Sequence, residues 1–334
     1  MVTIKNIAKE LGVSVSTVSR AINNHPDINY DTKQEILETI KRLNYTPNAL
    51  ARSMIQKKTY TIGLMVPDIT DLYFSAIAHD VEEVLSEVGY QIIYGNTGRN
   101  PEKEKNFLFN SLARKMDGLI VTPDFVDDDM IKWFQQIEIP VVFLRRRPPA
   151  ELNIPFVDVD HYKGACQAMN YLHSLGHTNI GFIRMPEYSF TGLERYMGFK
   201  DSQEQKGIAP PYHVAIAEGK GMEDGARAME QLLEMNPDLT AVFAGNDQLA
   251  IGAMEWMERN GIKVPEQISI VGFDNLELAN LHWVQLTTVA QPCQDMGRKA
   301  ALLLLDMLNE KNERPDSEIL ATSLVVRRSC KSLV

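Results

Sequence analysis

The side chains best suited to recognition chemistry are concentrated in residues 12–23, GVSVSTVSRAIN. Four Ser or Thr hydroxyls and one arginine stand there among apolar residues. A hydroxyl can donate a hydrogen bond to an acceptor oxygen, and a guanidinium can satisfy two acceptors at once. This group of short polar side chains and one long cation is therefore suited to a close approach to another polar surface.

A short helix must position these groups. Ser14 is predicted to cap it, because a serine hydroxyl accepts from the free backbone N–H groups of the first turn. Val18, Ala21 and Ile22 share one face at helical spacing and are expected to pack inward. The polar side chains fall on the outer face, with Val15 at its margin: Ser16, Ser19, Arg20 and Asn23.

A second helix is predicted just before it. Thr3 can cap this helix, and Gly12 can end it in a left-handed C′ position. Its apolar stripe consists of Ile4, Ile7, Ala8 and Leu11. Helix, glycine turn and helix make a helix-turn-helix, whose second helix enters the major groove of DNA. An ordinary helical hairpin is the commoner alternative, but a hydroxyl-rich outer face, poor in Glu and Lys, favours DNA.

The charge distribution separates this head from the rest of the chain. The 334 residues carry a net charge of −10, yet residues 1–58 hold nine Lys and Arg against five Asp and Glu. The head is thus at +4 and the remainder at −14. A basic head attracts phosphate, while an acidic body is repelled by it. The asymmetry predicts a domain boundary near residue 58.

Composition argues against several other classes of protein. No apolar run has spanning length and no leader opens the chain, so a soluble, cytoplasmic protein is expected. The three cysteines, Cys166, Cys293 and Cys330, are too widely spaced for a metal motif or a disulfide framework. No metal and no cofactor are predicted.

From residue 60, short apolar runs alternate with amphipathic segments at the spacing of βαβ units. The first series is TIGLMVP (61–67), QIIYGN (91–96), GLIVTP (118–123) and PVVFLR (140–145). The second is NIGFIR (179–184), HVAIA (213–217), AVFAG (241–245) and ISIVGF (268–273). The break around FVDVDHYKGA predicts two lobes, with a ligand cleft at the carboxyl ends of their strands.

The sequence nominates no catalytic constellation. It lacks a dinucleotide fingerprint, a phosphate loop and a His-Glu-x-x-His motif, and EGKG (218–221) is only a glycine turn. His79, His173 and His177 are interpreted as residues of helix surfaces or helix ends. No enzyme is predicted.

The motifs together resemble those of the lac repressor (LacI/GalR) family of transcription regulators, from Thr3 to about Arg328. They are TIKNIAKELGVSVSTVSRAIN, YTPNALARSM, TIGLMVPDITDLYF, MDGLIV, IPVVFL, LGHTNIGFI, ERYMGF, VFAGNDQLAIGAM and SIVGFDN with LTTVAQP. The resemblance implies a small all-α helix-turn-helix head and an α/β body of two doubly wound parallel-sheet lobes of periplasmic-binding-protein type. It implies three partners: palindromic double-stranded operator DNA, a small sugar-type effector and a second copy of the chain.

The resemblance assigns contacts with DNA by position. Val15, Ser16 and Arg20 are expected to face base edges. The residues expected near phosphates are Ser14, Thr17, Ser19 and Asn23.

Residues 45–54, YTPNALARSM, match the family's hinge, a helix that folds on DNA and places an apolar wedge in the minor groove. The expected DNA contacts are Asn48, Ala51 and Met54, with methionine where leucine is usual. A plain inter-domain linker is the alternative, and the segment is too short to be a stable helix alone.

The resemblance also places an effector between the lobes. Asp274, Asn246 and Arg195 match positions that bind it, and Tyr73 and Phe74, in the loop after the first strand, are expected to stack on it. Asp274 or Asn246 could instead cap the following helix.

Departures from the family pattern add basic residues to this cleft. LRRRPP (144–149) stands where an acid is common, and Arg184 and Lys220 replace residues that are often glycine and aromatic. Arg145, Arg184, Arg195 and Lys220 would then offer four cations, which favours a sugar phosphate or sugar acid. Part of the arginine run could be a solvated turn, and the roles of Arg146 and Arg147 stay open.

The sequence therefore predicts an allosteric, homodimeric repressor of carbohydrate-use genes. Its predicted parts are a head (1–45), a hinge and linker (46–58) and an effector-binding body (59–334). The body comprises an N-lobe, about 60–159 and 291–320, and a C-lobe, about 160–290 and 321–334. No heptad extension follows SLVVRR, so no coiled-coil tetramer is expected.

Two alternatives belong to other classes. The body alone would suit a solute-binding protein of sugar transport, but residues 1–58 and the missing leader argue against it. A sugar-modifying enzyme would need catalytic residues that the sequence does not show.

Overall fold

A computed structural model of the chain describes residues 2–22, 24–45, 58–309 and 315–334. The contacts between Cα atoms divide the chain into two compact units, residues 1–59 and residues 60–334. Among the described helices, none is both long enough and apolar enough to cross a membrane.

The described part of the smaller unit is all-α. Its helices are α1 (Ile4–Glu10), α2 (Val15–Ile22) and α3 (Tyr30–Arg42). All three contribute to one small core, formed by Ile7, Ala8, Val18, Ala21 and Ile36. Gly12 has a φ of +64°, a left-handed turn that allows α1 to end and α2 to begin. The predicted helix-turn-helix is confirmed, and α3, which the sequence analysis did not identify, closes its core.

The larger unit begins with a lobe built on a parallel sheet. Its strands are β1 (Thr61–Val66), β2 (Gln91–Asn96), β3 (Gly118–Val121), β4 (Val141–Leu144), β5 (Phe156–Val159) and β11 (Glu318–Leu320). Its helices are α4 (Leu72–Glu87), α5 (Pro101–Ala113), α6 (Asp128–Gln136) and α11 (Cys293–Leu308). The strand order is β11-β5-β4-β3-β1-β2, and every pair of neighbours is parallel.

A second lobe repeats this plan. Its strands are β6 (Ile180–Arg184), β7 (Val214–Ile216), β8 (Ala241–Ala244), β9 (Ser269–Asp274), β10 (Thr287–Ala290) and β12 (Ser323–Val325). Its helices are α7 (His161–Ser174), α8 (Phe190–Gln205), α9 (Met222–Met235) and α10 (Asp247–Arg259), with a 3-10 turn at Glu277–Asn280. The strand order is β12-β10-β9-β8-β6-β7, and only the β10–β12 pair is antiparallel.

The predicted fold class of head and two parallel-sheet lobes is confirmed, and each of the eight predicted apolar runs contains a strand. β3, β4 and β8 are buried along their whole length, so an almost continuous apolar run reveals them. The sequence analysis missed β5, β10, β11 and β12. β5 and β10 carry buried polar side chains, Asp158, Thr287 and Thr288, which interrupt the apolar pattern.

His177 follows the C-terminal end of α7, one of the two places predicted for it, and is fully buried. Its Nδ1 lies 3.0 Å from Oγ1 of Thr240, and its Nε2 lies 3.1 Å from the carbonyl oxygen of Lys331. It therefore ties the end of the chain to the second lobe.

The chain passes between the two lobes three times, between β5 and α7, between β10 and α11, and between β11 and β12. Asp160 caps α7 at the first crossing, where its carboxylate accepts from the backbone N–H of Lys163 at 2.9 Å. The second crossing runs through Gln291, which is buried. These crossings bring the loops at the carboxyl ends of both sheets together.

Candidate nucleic-acid interface and effector cleft

The outer face of α2 presents most of the residues predicted to contact DNA. The exposed ones are Ser14, Val15, Ser16 and Arg20, and the half-buried ones are Thr17 and Ser19. The apolar side chain of Val15 is exposed, which suits contact with a thymine methyl group. Other predicted contacts lie outside the described residues: Asn23, Asn48, Ala51 and Met54.

Ser14 begins α2 as predicted. Its Oγ accepts from the backbone N–H of Thr17 at 3.0 Å, which confirms the cap. The same oxygen lies 2.7 Å from Oγ of Ser16 and 2.8 Å from Oγ1 of Thr17. Three hydroxyls therefore surround the first turn, where the helix dipole favours an anion such as phosphate.

Arg195 of α8 is fully buried in the second lobe. Its Nη1 donates to the carbonyl oxygen of Gly245 at 2.5 Å, and its Nη2 lies 3.3 Å from Oδ1 of Asp274. Nη2 also lies 3.2 Å from Nδ1 of His161. The guanidinium carbon sits 3.6 Å from the ring centre of Phe273. The predicted effector residues Arg195 and Asp274 thus form an ion pair.

Asp274 extends this pair into the first lobe. Its Oδ1 accepts from Nε2 of Gln291 at 2.6 Å, and Oε1 of Gln291 accepts from the hydroxyl of Tyr73 at 3.0 Å. Burial raises the pKa of Asp274 even though Arg195 and Arg145 act to lower it. Tyr73, Gln291, Asp274 and Arg195 therefore form one buried polar chain between the lobes. Sequence reasoning missed Gln291, whose signal was a polar residue at the end of LTTVAQP.

Tyr73 and Phe74 are not in a loop, so that prediction is wrong. They lie in the first turn of α4, because Asp71 caps the helix by accepting from the backbone N–H of Tyr73 at 3.1 Å. Both side chains are buried, with their rings edge to face at 5.3 Å. They pack on Arg145, whose guanidinium carbon lies 5.2 Å and 5.0 Å from the two ring centres.

Arg145 follows β4 with a φ of +60°. Its Nη2 lies 3.4 Å from Oγ1 of Thr191 on α8, a contact between the lobes. Its buried Nε has no hydrogen-bond partner among the described residues. Burial alone would lower the pKa of Arg145, but Tyr73, Asp274 and Asp124 keep that pKa above its ordinary value. Among the described residues, the contacts of Arg145 are with a hydroxyl and two aromatic rings rather than with a carboxylate.

Lys220 approaches the first lobe from the second. Its Nζ lies 3.8 Å from Oδ1 of Asp124, and Oδ2 of the same carboxylate accepts from Nη1 of Arg99 at 3.0 Å. Burial lowers the pKa of Lys220 to about 7, although Asp124 opposes this shift. Asp124 was missed; it stands in TPDF, just after β3. Buried Glu104 of α5 holds its loop by accepting from the backbone N–H of Asp124 at 3.0 Å.

Asn246 is a helix cap, which was the alternative role. Its Oδ1 accepts from the backbone N–H of Leu249 at 2.8 Å, and its Nδ2 donates to the carbonyl oxygen of Lys220 at 3.1 Å. Arg184 packs on an aromatic ring: its guanidinium carbon lies 5.0 Å from the ring centre of Tyr196, and its buried Nε has no hydrogen-bond partner among the described residues.

The arginine run is not a solvated turn. Arg146 donates from Nη1 to the carbonyl oxygen of Pro123 at 2.9 Å, so it holds the loop that carries Asp124. Arg147 lies 3.5 Å from Asp158 and 3.7 Å from Glu194. Of the four cations expected in the cleft, Arg195 and Lys220 each have a carboxylate neighbour and are not unpaired. Arg147, whose role was left open, also has carboxylate neighbours.

Comparisons with known proteins agree with a helix-turn-helix head followed by a two-lobed body. The family model "Bacterial regulatory proteins, lacI family" matches residues 3–48, and "Periplasmic binding protein-like domain" matches residues 169–330. The chain is 35% identical over 320 residues to catabolite control protein A of Priestia megaterium, covering 95% of each protein. It is 34% identical over 331 residues to the ribose operon repressor of Halalkalibacterium halodurans, covering 99% of this chain and 98% of that protein.

Among solved structures, the chain is similar to the lac repressor dimer bound to operator and the anti-inducer ONPF. The TM-score is 0.89 at 25% identity, and the match covers 99% of each chain.

Proposed function

Because the chain belongs to the lacI family of bacterial regulatory proteins, we propose that it represses carbohydrate-use genes under the control of a sugar-type effector bound between its lobes. It is a DNA-binding transcriptional regulator and not an enzyme. The observation that carries the proposal is the buried polar chain from Tyr73 through Gln291 and Asp274 to Arg195. An effector that replaces part of this chain would contact both lobes at once.

The head supplies sequence recognition. Val15, Ser16 and Arg20 would contact base edges. The residues that would bind phosphates are Ser14, Thr17, Ser19 and Asn23. The hinge contacts Asn48, Ala51 and Met54 rest on the family and the sequence alone. With one helix-turn-helix per chain, a homodimer would present two α2 helices to a palindromic operator. Such a protein would work in the cytoplasm, where its operator is.

Charge balance supports an anionic effector. The cleft contains four cations, Arg99, Arg145, Arg195 and Lys220, and three carboxylates, Asp71, Asp124 and Asp274. One positive charge is therefore in excess when Lys220 is protonated. A carboxylate or phosphate beside Arg145 would balance it through charge-assisted hydrogen bonds. Asp274 would accept from hydroxyl groups at the uncharged end of the sugar.

The charge of Lys220 provides a direct signature of this effector. Because burial lowers the pKa of Lys220 to about 7, part of the population is neutral just above neutral pH. A bound anion favours the ammonium form and raises this pKa. Binding of a sugar acid at pH 8 should therefore take up protons, whereas binding of a neutral sugar should not.

A ligand screen followed by calorimetry tests the proposal. Thermal-shift assays with glucose, gluconate, glucose 6-phosphate and their galactose and ribose counterparts select the probes. Titrations at pH 8 in Tris and in HEPES then report proton uptake from the difference in measured enthalpy. Arg145→Met should weaken binding of the anionic sugar at least tenfold, while Arg184→Met, its matched control, should not.

Two results would contradict the anionic assignment. One is tight binding of a neutral sugar while its acid and phosphate are inert. The other is anion binding without proton uptake and without sensitivity to Arg145→Met. An effector gripped by both lobes shifts their arrangement only by its differential affinity for the closed form. The same titrations with operator fragment present measure that coupling.

A further inference from the structure

Beside Arg195 lies a buried Asp–His pair to which the proposed function gives no role. Asp158 is in β5 and His161 is the first residue of α7, so the pair sits at the first crossing between the lobes. Both side chains are fully buried. Nε2 of His161 lies 3.3 Å from Oδ1 of Asp158, and Nδ1 lies 3.2 Å from Nη2 of Arg195. The imidazole thus stands between a carboxylate and a guanidinium.

The chemistry of these groups fixes the tautomer of the histidine. A guanidinium has only donors, so Nδ1 of His161 must be the acceptor in its contact with Arg195. A neutral imidazole then carries its proton on Nε2, on the side of Asp158. Burial lowers the pKa of His161 to about 4, and Arg195 and Arg145 add to this effect while Asp158 opposes it. The neutral form, which the contact with Arg195 requires, is therefore retained at neutral pH.

From this geometry we propose that Asp158 and His161 are positioning residues, which orient the guanidinium of Arg195 for the effector. The negative charge of Asp158, 3.3 Å from Nε2, favours the Nε2–H tautomer, and Nδ1 then accepts one N–H of Arg195. The proposal deepens the effector site proposed above and rests on it for its biological purpose. The arrangement of atoms can be tested without any effector.

The orientation matters because it decides which donors Arg195 has left. Gly245 occupies Nη1, and Asp274 and His161 occupy Nη2. The ring of Phe273 covers one face of the guanidinium. Nε is buried without a hydrogen-bond partner among the described residues, so it remains a donor for a ligand. Without Nδ1 of His161, the guanidinium would be free to rotate away from Asp274 and this donor direction would be lost.

A metal ion is the competing interpretation of the same cluster. Ligand atoms of Asp158, His161 and Glu194 all lie within 4.8 Å of one another. Because Nδ1 of His161 accepts from Arg195, the ring proton is on Nε2. A metal ion bound at Nε2 would have to displace this proton. Arg147, at 3.5 Å from Asp158 and 3.7 Å from Glu194, already supplies positive charge at this position. Nε2 of His161, both carboxylate oxygens of Asp158 and Oε2 of Glu194 have no hydrogen-bond partner among the described residues, so a bound cation is the competing outcome that the test must exclude.

The first experiment observes the tautomer directly. Full-length protein is labelled with 15N-histidine, and long-range 1H–15N spectra are recorded from pH 5.5 to 8, with His161→Gln assigning the resonance. We expect the Nε2–H tautomer of His161 throughout, with exposed His79 as an internal reference. The charged groups that face the ring from other elements are Asp158, Glu194, Arg195 and Arg145, together with the ring of Phe273. An Nδ1–H tautomer or a doubly protonated ring in this range would overturn the proposal.

The second experiment compares two substitutions of His161 by amide side chains, Asn and Gln, which differ only in length. The carboxamide of His161→Asn stands near the place of Nδ1 and keeps an acceptor for Arg195. That of His161→Gln reaches toward Nε2 and keeps only the contact with Asp158. In 15N-arginine-labelled protein, the resonance of Arg195 is assigned by its loss in Arg195→Lys. The Nε–H of Arg195 should stay protected from exchange with solvent in the Asn variant. It should exchange with solvent at least tenfold faster in the Gln variant.

Three controls complete the test. Thermal unfolding of both variants shows whether a difference is merely one of stability. Equal protection of Arg195 in both variants would overturn the positioning role. Zn²⁺ titration, with one ion bound per chain and loss of the Nε2–H signal, would identify a metal site instead. If gluconate and glucose 6-phosphate fail to bind the wild type, the proposed effector class is wrong. The spectra still decide whether Asp158 and His161 orient Arg195.

Discussion

The character of the cleft depends on which buried charges have partners. Arg195 is paired with Asp274 at 3.3 Å and Lys220 with Asp124 at 3.8 Å, whereas Arg145 is packed on two aromatic rings. A buried charge without a partner is expensive, so each arginine or lysine is held by a carboxylate, a carbonyl or a ring. Removing single residues should therefore have effects that depend on the partner left behind.

Lys220→Met should make stability less dependent on pH. In the unfolded chain the pKa of a lysine is about 10.4, whereas burial lowers that of Lys220 to about 7 in the folded protein. Between these values the unfolded state binds more protons, so the free energy of unfolding of the wild type rises with pH. Below pH 7 the buried charge is present in full and destabilises the fold.

The variant should therefore be more stable than the wild type at pH 6, and the difference should shrink by pH 9. Urea unfolding at both pH values measures it. Lys132→Met, at an exposed lysine, is the matched control, and groups such as Glu104 titrate equally in all three proteins. A difference that does not change with pH would show that Lys220 is charged throughout.

Arg20→Ala should weaken operator binding and relax the base preference at one position of each half-site. A bidentate contact between arginine and guanine is worth about 1–3 kcal/mol of discrimination. Competitive binding to a mapped operator and its single-base variants measures both effects. Lys41→Ala, an exposed lysine of α3, removes the same charge from the head. If both variants lose affinity equally on all sequences, Arg20 contacts only phosphate.

At the scale of elements, helix caps and short loops position the side chains that are predicted to contact DNA or the effector. Ser14 begins α2, Asp71 begins α4 and Asn246 begins α10, and each cap lies next to predicted contact residues. The cap fixes the direction of the helix and thus the side chains of its first turn. Glu104 fixes a loop in a similar way, because its carboxylate accepts a hydrogen bond from the backbone N–H of Asp124.

Ser14→Ala should destabilise the head by about 1 kcal/mol through loss of the α2 cap. Ser14→Asp should keep the stability, because a carboxylate caps equally well, but should weaken DNA binding by repelling phosphate. Thermal unfolding and DNA titration of both variants separate the two roles. Unchanged DNA affinity in Ser14→Asp would place phosphate away from this end of the helix.

Met54→Ala should reduce binding to the operator more than binding to random DNA. An apolar wedge acts only on a kinked minor groove, so its loss spares non-specific contacts. Titrations of both DNAs at one salt concentration measure the difference, and Arg52→Ala is a control for lost charge. Equal loss on both DNAs would make residues 46–54 a linker.

At the scale of the whole molecule, the two sheets are joined by three crossings and by buried contacts between the lobes. Arg145 contacts Thr191, Lys220 contacts Asp124 and Gln291 contacts Asp274. A rigid-body change of one lobe must break or exchange these contacts together. A small effector at this place can therefore influence a large structure, since packed interfaces tend to have discrete arrangements.

Sedimentation should give twice the 37.7 kDa mass of the chain. On operator DNA, binding should require two half-sites in inverted orientation, because a homodimer presents one α2 to each. Inserting half a helical turn between the half-sites should abolish specific binding and leave non-specific binding unchanged. Retained specific binding would favour independent monomers.

The sequence by itself determined the helix-turn-helix, the eight apolar strands, the two-lobed fold class and the family. These features are local: a cap such as Ser14, a left-handed Gly12 and a buried strand such as β8 depend on neighbours along the chain. Periodicity and residue type are therefore enough to identify them.

Only the tertiary structure decided which charges meet. Asp124 and Lys220 are 96 positions apart, and Asp274 and Arg195 are 79 positions apart, so no local pattern could pair them. The same holds for β10, because the buried hydroxyls of Thr287 and Thr288 have distant partners, the backbone N–H of Arg327 and the carboxylate of Asp247. Buried Asp158 of β5 lies beside Arg147 and His161. The packing of the two lobes determines which buried polar groups become partners. The sequence contains these residues but does not show which of them are in contact.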